Sequence, residues 1–349
     1  MAAPLGACPV QIGQYDRVVL GHGSGGKLTH ELITQLFVPT FHNPTLAALE
    51  DQATIAVEGA GRLAFTTDSF VVSPVFFPGG DIGKLAVCGT VNDLAAGGAV
   101  PRHLAASFIL EEGLPLADLR RVVESMRAAC DEAGVSVVAG DTKVVERGKA
   151  DGLFITTTGI GWAPEGRRLS IAAARPGDRV VVSGPLGDHG MAILSVREGL
   201  SFDTQLVSDC APLGGLTGVM LRASPSLRCM RDPTRGGLAS ALNELAAASQ
   251  VGVVVEESAV PVRPEVRGAC ELLGLEPLYV ASEGRMVAVA PAPEVPALLH
   301  AMRAHPLGKG AAEIGEVIAD FPGRVRVRST VGGDRLLLML SGEQLPRIC

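Results

Sequence analysis

This sequence has few aromatic residues, no long apolar stretch and no cluster of positive charge. Aromatic residues make up 4% of the 349 residues, so a core must be built mainly from aliphatic side chains. No uncharged apolar stretch reaches the length of a membrane-spanning helix, which argues against a membrane protein. The net charge of −7 and the lack of Lys and Arg runs argue against a nucleic-acid partner. Residues 1–8 lack the pattern of a secretory signal, so we expect a cytoplasmic location.

Cysteine spacing argues against a disulfide framework. The seven cysteines are odd in number and include no C-x-x-C pair. In a cytoplasmic protein this pattern favours free thiols. Most are expected to be small buried residues, whereas Cys349 stands at the last position of the sequence, where packing is rare. The cysteines are Cys8, Cys88, Cys130, Cys210, Cys229, Cys270 and Cys349.

Chain length and the positions of proline and glycine divide the chain into four parts. A chain of 349 residues is too long for one ordinary core and suffices for two domains. Proline and glycine cluster at 163–177 and mark a break. We therefore predict an N-terminal segment with a glycine-rich loop at 1–45, α/β domains at 46–165 and 166–340, and a mobile tail at 341–349.

Apolar spacing predicts alternating strands and helices in both domains, an α/β (α+β) fold. At 118–133 the apolar residues recur at helical spacing, with Asp118 able to cap the start and Gly134 the end. Short apolar runs predict the strands. The predicted helices are 82–96, 118–133, 238–249 and 294–304. The predicted strands are 63–67, 104–110, 135–139, 154–159, 179–183, 251–255, 286–290 and 335–340.

A glycine-rich loop at 21–27 is the first candidate for chemistry. Its glycines would let main-chain N–H groups turn inward around an anion, and its lysine keeps a phosphate role open. The spacing approaches a P-loop, but Leu28 stands where a magnesium-binding hydroxyl is needed. A flexible turn explains the same residues, so both interpretations stay open. The candidate nucleotide-binding residues are Gly23, Ser24, Gly25, Gly26 and Lys27.

Five aspartates lie at the edges of apolar segments. Carboxylates in such positions could hold magnesium around bound phosphates, and ligands gather at strand ends in open α/β folds. Each aspartate alone is explained better by a helix cap or a turn. Five in similar settings favour a metal site, and these candidate ligands are Asp51, Asp68, Asp93, Asp141 and Asp232.

Two further segments could take part in a reaction. At 232–237, Gly236 and Gly237 precede a predicted helix whose N-terminus could bind phosphate, and Arg235 could pair with the same group. A surface loop with an ion pair is the alternative. The tail before Cys349, fully extended, reaches about 25–30 Å, so its thiol could move between an outer partner and an inner site. An incidental cysteine in a disordered tail is the alternative.

Four motifs resemble the ATP-site motifs of the PurM-like superfamily, in the same order and across nearly the whole chain. They are TTDS at 66–69, NDLA at 92–95, GDTK at 140–143 and DPTRGG at 232–237. Three others are similar to the hydrogenase maturation factor HypE family in particular. They are HGSGGK at 22–27, SPVFFPGG at 73–80 and PRIC at 346–349.

The resemblance implies a fold, a reaction and a set of partners. The fold has two α/β domains, and the N-terminal domains pair in a homodimer with ATP near the shared interface. A HypF protein loads a carbamoyl group onto the thiol of Cys349, and the protein uses ATP and Mg²⁺ to dehydrate it to a thiocyanate. The cyanide then passes through a HypC–HypD complex to the iron of a nickel–iron hydrogenase.

The resemblance also assigns roles to individual residues. Thr67, Asn92 and Thr142 lie in motifs that bind ATP in these families. Glu283 resembles a family residue placed near the sulfur and would act as the general base, and Lys143 would stabilise the developing charge. A structural ion pair is the alternative for Glu283 and Lys143.

Three histidines and three rival functions stay open at this point. His22, His103 and His189 are further candidates for the base, and His189 is expected in a surface loop. A selenophosphate synthetase would carry its reactive residue in the loop that here holds Ser24. A thiamine monophosphate kinase would have no use for Cys349. A nucleotide-binding scaffold without catalysis is opposed by the set of aspartates.

Overall fold

The computed structural model describes residues 15–23, 27–47, 61–166, 169–199, 206–330, 332–339 and 347–349. The strands are β1 Arg62–Phe70, β2 Phe76–Phe77, β3 Gly80–Asp81, β4 Val100–Glu111, β5 Ser136–Val145, β6 Leu153–Ala163, β7 Asp178–Val182, β8 Cys229–Arg231, β9 Gly252–Glu256, β10 Val287–Pro291, β11 Ala312–Ile318, β12 Arg324–Arg328 and β13 Asp334–Leu337. The α-helices are α1 Lys27–Leu32, α2 Val38–Phe41, α3 Pro44–Ala47, α4 Ile82–Ala96, α5 Leu116–Ala133, α6 Asp188–Arg197, α7 Gly214–Ala223, α8 Gly237–Ser249, α9 Pro264–Leu273 and α10 Val295–Ala304. A π-helical turn, Ile33–Phe37, links α1 to α2. Short 3₁₀ turns lie at Leu20–Gly23, Glu257–Ala259, Pro277–Tyr279, Ala292–Glu294 and Pro306–Gly308.

The strands form two main sheets, one on each side of residues 164–177. The first has the order β1–β6–β4–β5, with β4 and β5 parallel and the other neighbours antiparallel. The second has the order β13–β12–β9–β11–β7–β10–β8, with β12 and β9 parallel and the other neighbours antiparallel. The mixed α/β class predicted from the sequence is confirmed.

Helix α4 lies between the two sheets. Its start is capped by the Asp81 carboxylate, which accepts hydrogen bonds from the main-chain N–H groups of Gly83 and Lys84. The helix packs on β1 and β6, and it also contacts α7 and β8 of the second domain. Because it is buried on nearly every side, it shows no polar stripe, and a run of small and apolar residues predicted it correctly.

Among the described residues, helices cover one face of the first sheet. Helices α4 and α5 pack together on the inner side of this domain. On the opposite face, which we call the open face, Leu63, Phe65 and Ile109 are exposed by 60%, 66% and 42%. β1 and β4 therefore present exposed apolar side chains on the open face.

Several element boundaries differ from the prediction for local reasons. Helix α5 begins after Pro115, so Asp118 lies inside its first turn instead of capping it, whereas Gly134 ends it with a left-handed φ of 69°. Helices α6, α7 and α9 and strands β8, β11 and β12 were missed. In α6 the polar residues Asp188 and His189 are buried, so the sequence shows no apolar stripe. No described helix is long and apolar enough to cross a membrane.

Candidate active site

Residues 347–349 lie between the two domains, alongside the residues that follow β1. The Val71 N–H donates to the main-chain oxygen of Cys349 at 3.4 Å, and the Ser73 N–H donates to that of Arg347 at 3.1 Å. Ile348 is 3% exposed and packs into the apolar cluster of the first domain, which Cys349 also contacts. Contrary to the expectation from its position in the sequence, Cys349 is packed.

The thiol of Cys349 lies in an environment that favours its neutral form. Burial raises the pKa of the Cys349 thiol above its ordinary range, and the nearby carboxyl of Glu283 raises it further. The guanidinium of Arg235 acts in the opposite direction. Arg347, which is adjacent in sequence, instead forms an ion pair with Asp151. Arg235 is thus the cation that faces the sulfur.

Glu283 is buried beside this thiol with unused bonding capacity. Its side chain is 2% exposed, and Oε1 has no hydrogen-bond partner among the described residues. Burial raises the pKa of Glu283 well above its usual range, and the charges of Cys210 and Asp232 add to the effect. A buried carboxyl oxygen without a hydrogen-bond partner destabilises the folded protein. We therefore infer that Glu283 Oε1 binds another group during the reaction.

The main chain of Glu283 is held from two sides. Its N–H donates to Asp209 Oδ1 at 3.1 Å, and its carbonyl accepts from Asn92 Nδ2 at 3.1 Å. The Asn92 amide also donates to the Ala211 carbonyl and accepts from the Leu213 N–H. Asn92 was predicted to bind the nucleotide, but both hydrogens of its amide are used within the protein. Its contacts make it a clamp that fixes Glu283.

Three of the predicted metal ligands converge on the same region. These residues, Asp68, Asp93 and Asp232, are called the acidic cluster below. Burial raises the pKa of each carboxyl, and for Asp232 burial together with the charge of Asp93 raises the pKa to about 7. Asp93 accepts a hydrogen bond from Thr66 Oγ1 at 3.0 Å, and Asp68 accepts one from the Ser69 N–H. Burial therefore disfavours the ionised form of all three carboxyls.

A cavity of about 580 Å³ opens beside the acidic cluster. Asp93 and Asp232 line it together with Thr66, Leu169 and Arg231, so both domains contribute to its wall. Its volume falls within the range of roughly 300–1,000 Å³ that is typical of small-molecule sites. The cavity is large enough for a nucleotide and is lined by carboxylates that could share a cation with its phosphates.

The start of α8 borders the same region. Gly236 caps this helix with φ 78°, and Gly237 follows with φ 59°. A Cβ on Gly237 would lie 2.7 Å from the Leu278 carbonyl, so the close approach requires glycine. Arg235, just before this turn, is exposed and acts electrostatically on both Asp68 and Cys349. The predicted phosphate-binding segment and the thiol are thereby brought together.

Other predicted site residues lie on the open face, away from Glu283. Asp141 and Lys143 form an exposed ion pair at 2.9 Å on β5. Thr67 points to the same face and bonds Thr158 Oγ1 across the sheet, whereas Thr142 is buried. The structure of one chain thus separates Lys143 from Glu283, and the two do not form an ion pair.

Several predictions fall on parts of the chain with little or no description. Ser24, Gly25, Gly26 and Asp51 lie outside the described residues. Gly23 ends the 3₁₀ turn Leu20–Gly23, and Lys27 is the first residue of α1. No group of three or more His, Cys, Asp or Glu side chains suited to hold a metal ion occurs within the described ranges.

His189 was expected in a surface loop, and this prediction was wrong. The residue is fully buried near the start of α6, where its ring contacts Ser208 and the main chain of Ile348. Asp209, which supports Glu283, was also missed. No periodic pattern marks either residue, because each owes its position to contacts far away in the sequence.

Comparisons with known proteins show the family to which the chain belongs. Residues 49–163 match the family model of the AIR synthase related protein, N-terminal domain, and residues 175–328 match that of its C-terminal domain. Over 333 residues, covering 95% of both proteins, the chain is 57% identical to the carbamoyl dehydratase HypE of Cupriavidus necator. A crystal structure of hydrogenase maturation protein HypE in complex with ATP is 49% identical, with a TM-score of 0.91 over 95% of this chain and 99% of that one. A HypE–HypF complex contains a chain that is 47% identical, with a TM-score of 0.77 over 87% of this chain and 98% of that one.

The two matched domains and the cleft between them define a protein of the AIR synthase related class. The identity to relatives along almost the whole chain is more specific. The chain belongs to the carbamoyl dehydratase HypE family.

Proposed function

We propose that this protein uses ATP to dehydrate a carbamoyl group on the sulfur of Cys349, leaving a thiocyanate that supplies cyanide for the iron of a nickel–iron hydrogenase. One observation carries the proposal: Cys349 docks beside Glu283, whose buried carboxyl oxygen lacks a partner. The relatives named carbamoyl dehydratase HypE support the same reaction.

The reaction removes one oxygen and two N–H protons from the carbamoyl group, which amounts to one water. Hydroxide is a poor leaving group, and ATP supplies the activation that lets the carbamoyl oxygen leave with phosphate. Glu283 accepts an N–H proton as its general base once its carboxyl is ionised. Asn92 and Asp209 hold the main chain of Glu283 and so fix the position from which its side chain extends. Arg235 offsets negative charge that develops near the sulfur.

The acidic cluster fits a magnesium ion that is shared with the nucleotide. Magnesium commonly binds one or two carboxylates and completes its shell with water and substrate phosphates. Such a site needs no complete cage of protein ligands, and burial raises the pKa values of Asp68, Asp93 and Asp232, so a bound cation would favour their ionised forms. The turn at Gly236 and Gly237 would hold phosphate through main-chain N–H groups. The HypE structure in complex with ATP supports nucleotide binding by this chain.

The open face supports the predicted homodimer. Phe65 pairs across the sheet with Ile160, and Leu63 with Trp162, and both partners are half-buried, so the apolar side chains continue onto the neighbouring strand. Monomeric proteins rarely expose a contiguous apolar patch of this kind. A second copy packed on this face would cover it and would bring the partner's Lys143 and Asp141 towards the shared region. A role for Lys143 in the reaction depends on this pairing.

Two other proteins complete the proposed pathway. A HypF-type carbamoyltransferase would load Cys349, and the known HypE–HypF complex supports that contact. A HypC–HypD complex would accept the cyanide group. Both exchanges require residues 347–349 to leave the site seen here, because Cys349 packs against the apolar cluster.

Peptide mass spectrometry tests the proposal directly. The protein is incubated with HypF, carbamoyl phosphate and ATP, repurified, and then given Mg²⁺ and ATP alone. We expect a carbamoyl adduct on Cys349 that subsequently loses the mass of one water. Cys349→Ser should remain unmodified, whereas Cys270→Ser, which changes a buried cysteine outside the site, should behave as the unaltered protein. A stable carbamoyl adduct with bound Mg²⁺ and ATP would contradict the dehydratase function.

A further inference from the structure

His189 forms a contact with residues 347–349 that the reaction itself does not use. Its ring is fully buried, and Nε2 lies 2.6 Å from the main-chain oxygen of Ile348. Nδ1 lies 2.8 Å from Ser208 Oγ. A carbonyl oxygen can only accept, so Nε2 must carry the hydrogen and Nδ1 accepts from the serine hydroxyl. Burial lowers the pKa of His189, which favours this neutral form.

The orientation of the ring is fixed by its surroundings. The Ser208 N–H donates to the Pro78 carbonyl at 2.9 Å, and Ser208 Oγ accepts from the Cys210 N–H at 3.1 Å. The ring of Phe77 meets the imidazole edge to face, with 5.5 Å between the ring centroids. The imidazole is therefore prepared to meet the Ile348 carbonyl before residues 347–349 dock.

The other hydrogen bonds to residues 347–349 come from main-chain amides or from a partly exposed arginine. The main-chain amides of Val71 and Ser73 bind the oxygens of Cys349 and Arg347, and these amides are indifferent to side-chain identity. Arg197 also donates to the Arg347 carbonyl, but at a partly exposed position where water can replace it. His189 supplies the buried side-chain donor, and it does so at the residue directly before Cys349.

We propose that His189 is the latch that holds residues 347–349 in the site during dehydration and releases them for loading. This inference deepens the proposed function and rests on it. His189 touches neither the sulfur nor the nucleotide pocket, so it is a positioning residue. Loss of its N–H would leave the buried Ile348 carbonyl unsatisfied when docked, whereas water would satisfy it when released. Removing the donor therefore shifts the chain towards the released state.

Two substitutions separate the hydrogen bond from the shape of the ring. His189→Phe keeps a planar ring next to Phe77 but removes the donor, and His189→Gln restores an N–H donor of similar reach. The readouts are the rate at which iodoacetamide alkylates Cys349, carbamoyl loading by HypF, and single-turnover dehydration of the loaded protein. For His189→Phe we expect alkylation faster by about tenfold or more, undiminished loading, and dehydration slower by a similar factor. In His189→Gln, the alkylation and dehydration rates should both return most of the way to those of the unaltered protein.

The outcomes separate a latch from a general structural role. A folded His189→Phe protein with unchanged alkylation and dehydration would overturn the proposal. Parallel loss of loading and dehydration would also overturn it, because a released Cys349 should load normally. Should His189→Phe fail to fold, Ser208→Ala removes the partner that orients the ring and should raise alkylation in the same direction. If the unaltered protein loads but never dehydrates, the proposed function fails, and the alkylation rates still decide whether His189 holds the docked state.

Discussion

Replacing Asp232 by Asn should make the nucleotide-free protein more stable, and increasingly so as the pH rises. Asp232 lies next to Asp93 and Asp68, and burial together with the charge of Asp93 raises its pKa to about 7 from an ordinary value of 3.8. The raised pKa means that the folded protein binds the proton more tightly than the unfolded chain does. Stability is therefore lost as the pH rises above the unfolded pKa, and the loss levels off above the folded value of about 7.

The size of the effect follows from this difference in pKa. Between about pH 5 and pH 7 the carboxyl of Asp232 is ionised in the unfolded chain and protonated in the folded one, at a cost of about 1.4 kcal/mol for each pH unit. The advantage of Asp232→Asn over the unaltered protein should thus grow by roughly 2–3 kcal/mol between about pH 5 and pH 8. Comparing two pH values cancels any constant effect of the substitution on packing.

Urea unfolding with EDTA at both pH values measures this difference. Asp320→Asn, which changes an exposed carboxylate, should show no such growth and serves as the matched control. Adding Mg²⁺ and ATP at the higher pH should stabilise the unaltered protein and leave Asp232→Asn nearly unchanged, because the variant lacks a proposed ligand. An advantage of equal size at both pH values would refute the reasoning about buried charge.

The remaining predictions concern the base, the dimer and the thiol. Glu283→Gln should accept the carbamoyl group normally but dehydrate it at least about a hundredfold more slowly. In the unaltered protein the single-turnover rate should rise with pH as the Glu283 carboxyl, whose pKa is raised, becomes ionised, and this rise should be absent from the variant. Phe65→Glu should convert a dimer to a monomer in analytical ultracentrifugation, whereas Leu272→Glu, at an equally exposed position on α9, should not. Docking raises the pKa of the Cys349 thiol, so ionisation of the thiol favours the released state. Above about pH 8.5, the main-chain amide of Val71, which binds Cys349, should therefore exchange its hydrogen faster in the unaltered protein than in Cys349→Ser.

The parts of the fold that follow local rules could be predicted from the sequence. The amphipathic α5 and the uniformly apolar α4 were predicted because the apolar patterns that define them lie within consecutive residues. The short strands β8 and β12 were missed because pairing partners distant in the sequence define them. Helix α6 was missed because it buries polar side chains, which contradicts the pattern on which prediction relies.

The candidate site was predictable to a similar extent. Motif resemblance drew attention to Asp68, Asp93 and Asp232, which the structure brings together. Resemblance could not tell that Asn92 uses its amide to fix Glu283, because that role depends on the backbone of another domain. Nor could it separate residues of the open face from those of the cleft, since strand alternation places neighbours on opposite sides of the sheet.

The charges that we propose to hold a nucleotide would also decide which form of Cys349 the site accepts. A free thiol can ionise, and the docked position penalises the thiolate through burial and through the carboxyl of Glu283. A carbamoylated sulfur cannot ionise, so it escapes this penalty, and its amide hydrogens can meet the unpartnered oxygen of Glu283. In the proposed reaction, loading would therefore strengthen docking without any movement of the domains, because the site favours a neutral, hydrogen-bond-donating group over a charged one. The proposal then requires a nucleophilic thiolate only outside the cleft, where Cys349 would meet the carbamoyl donor.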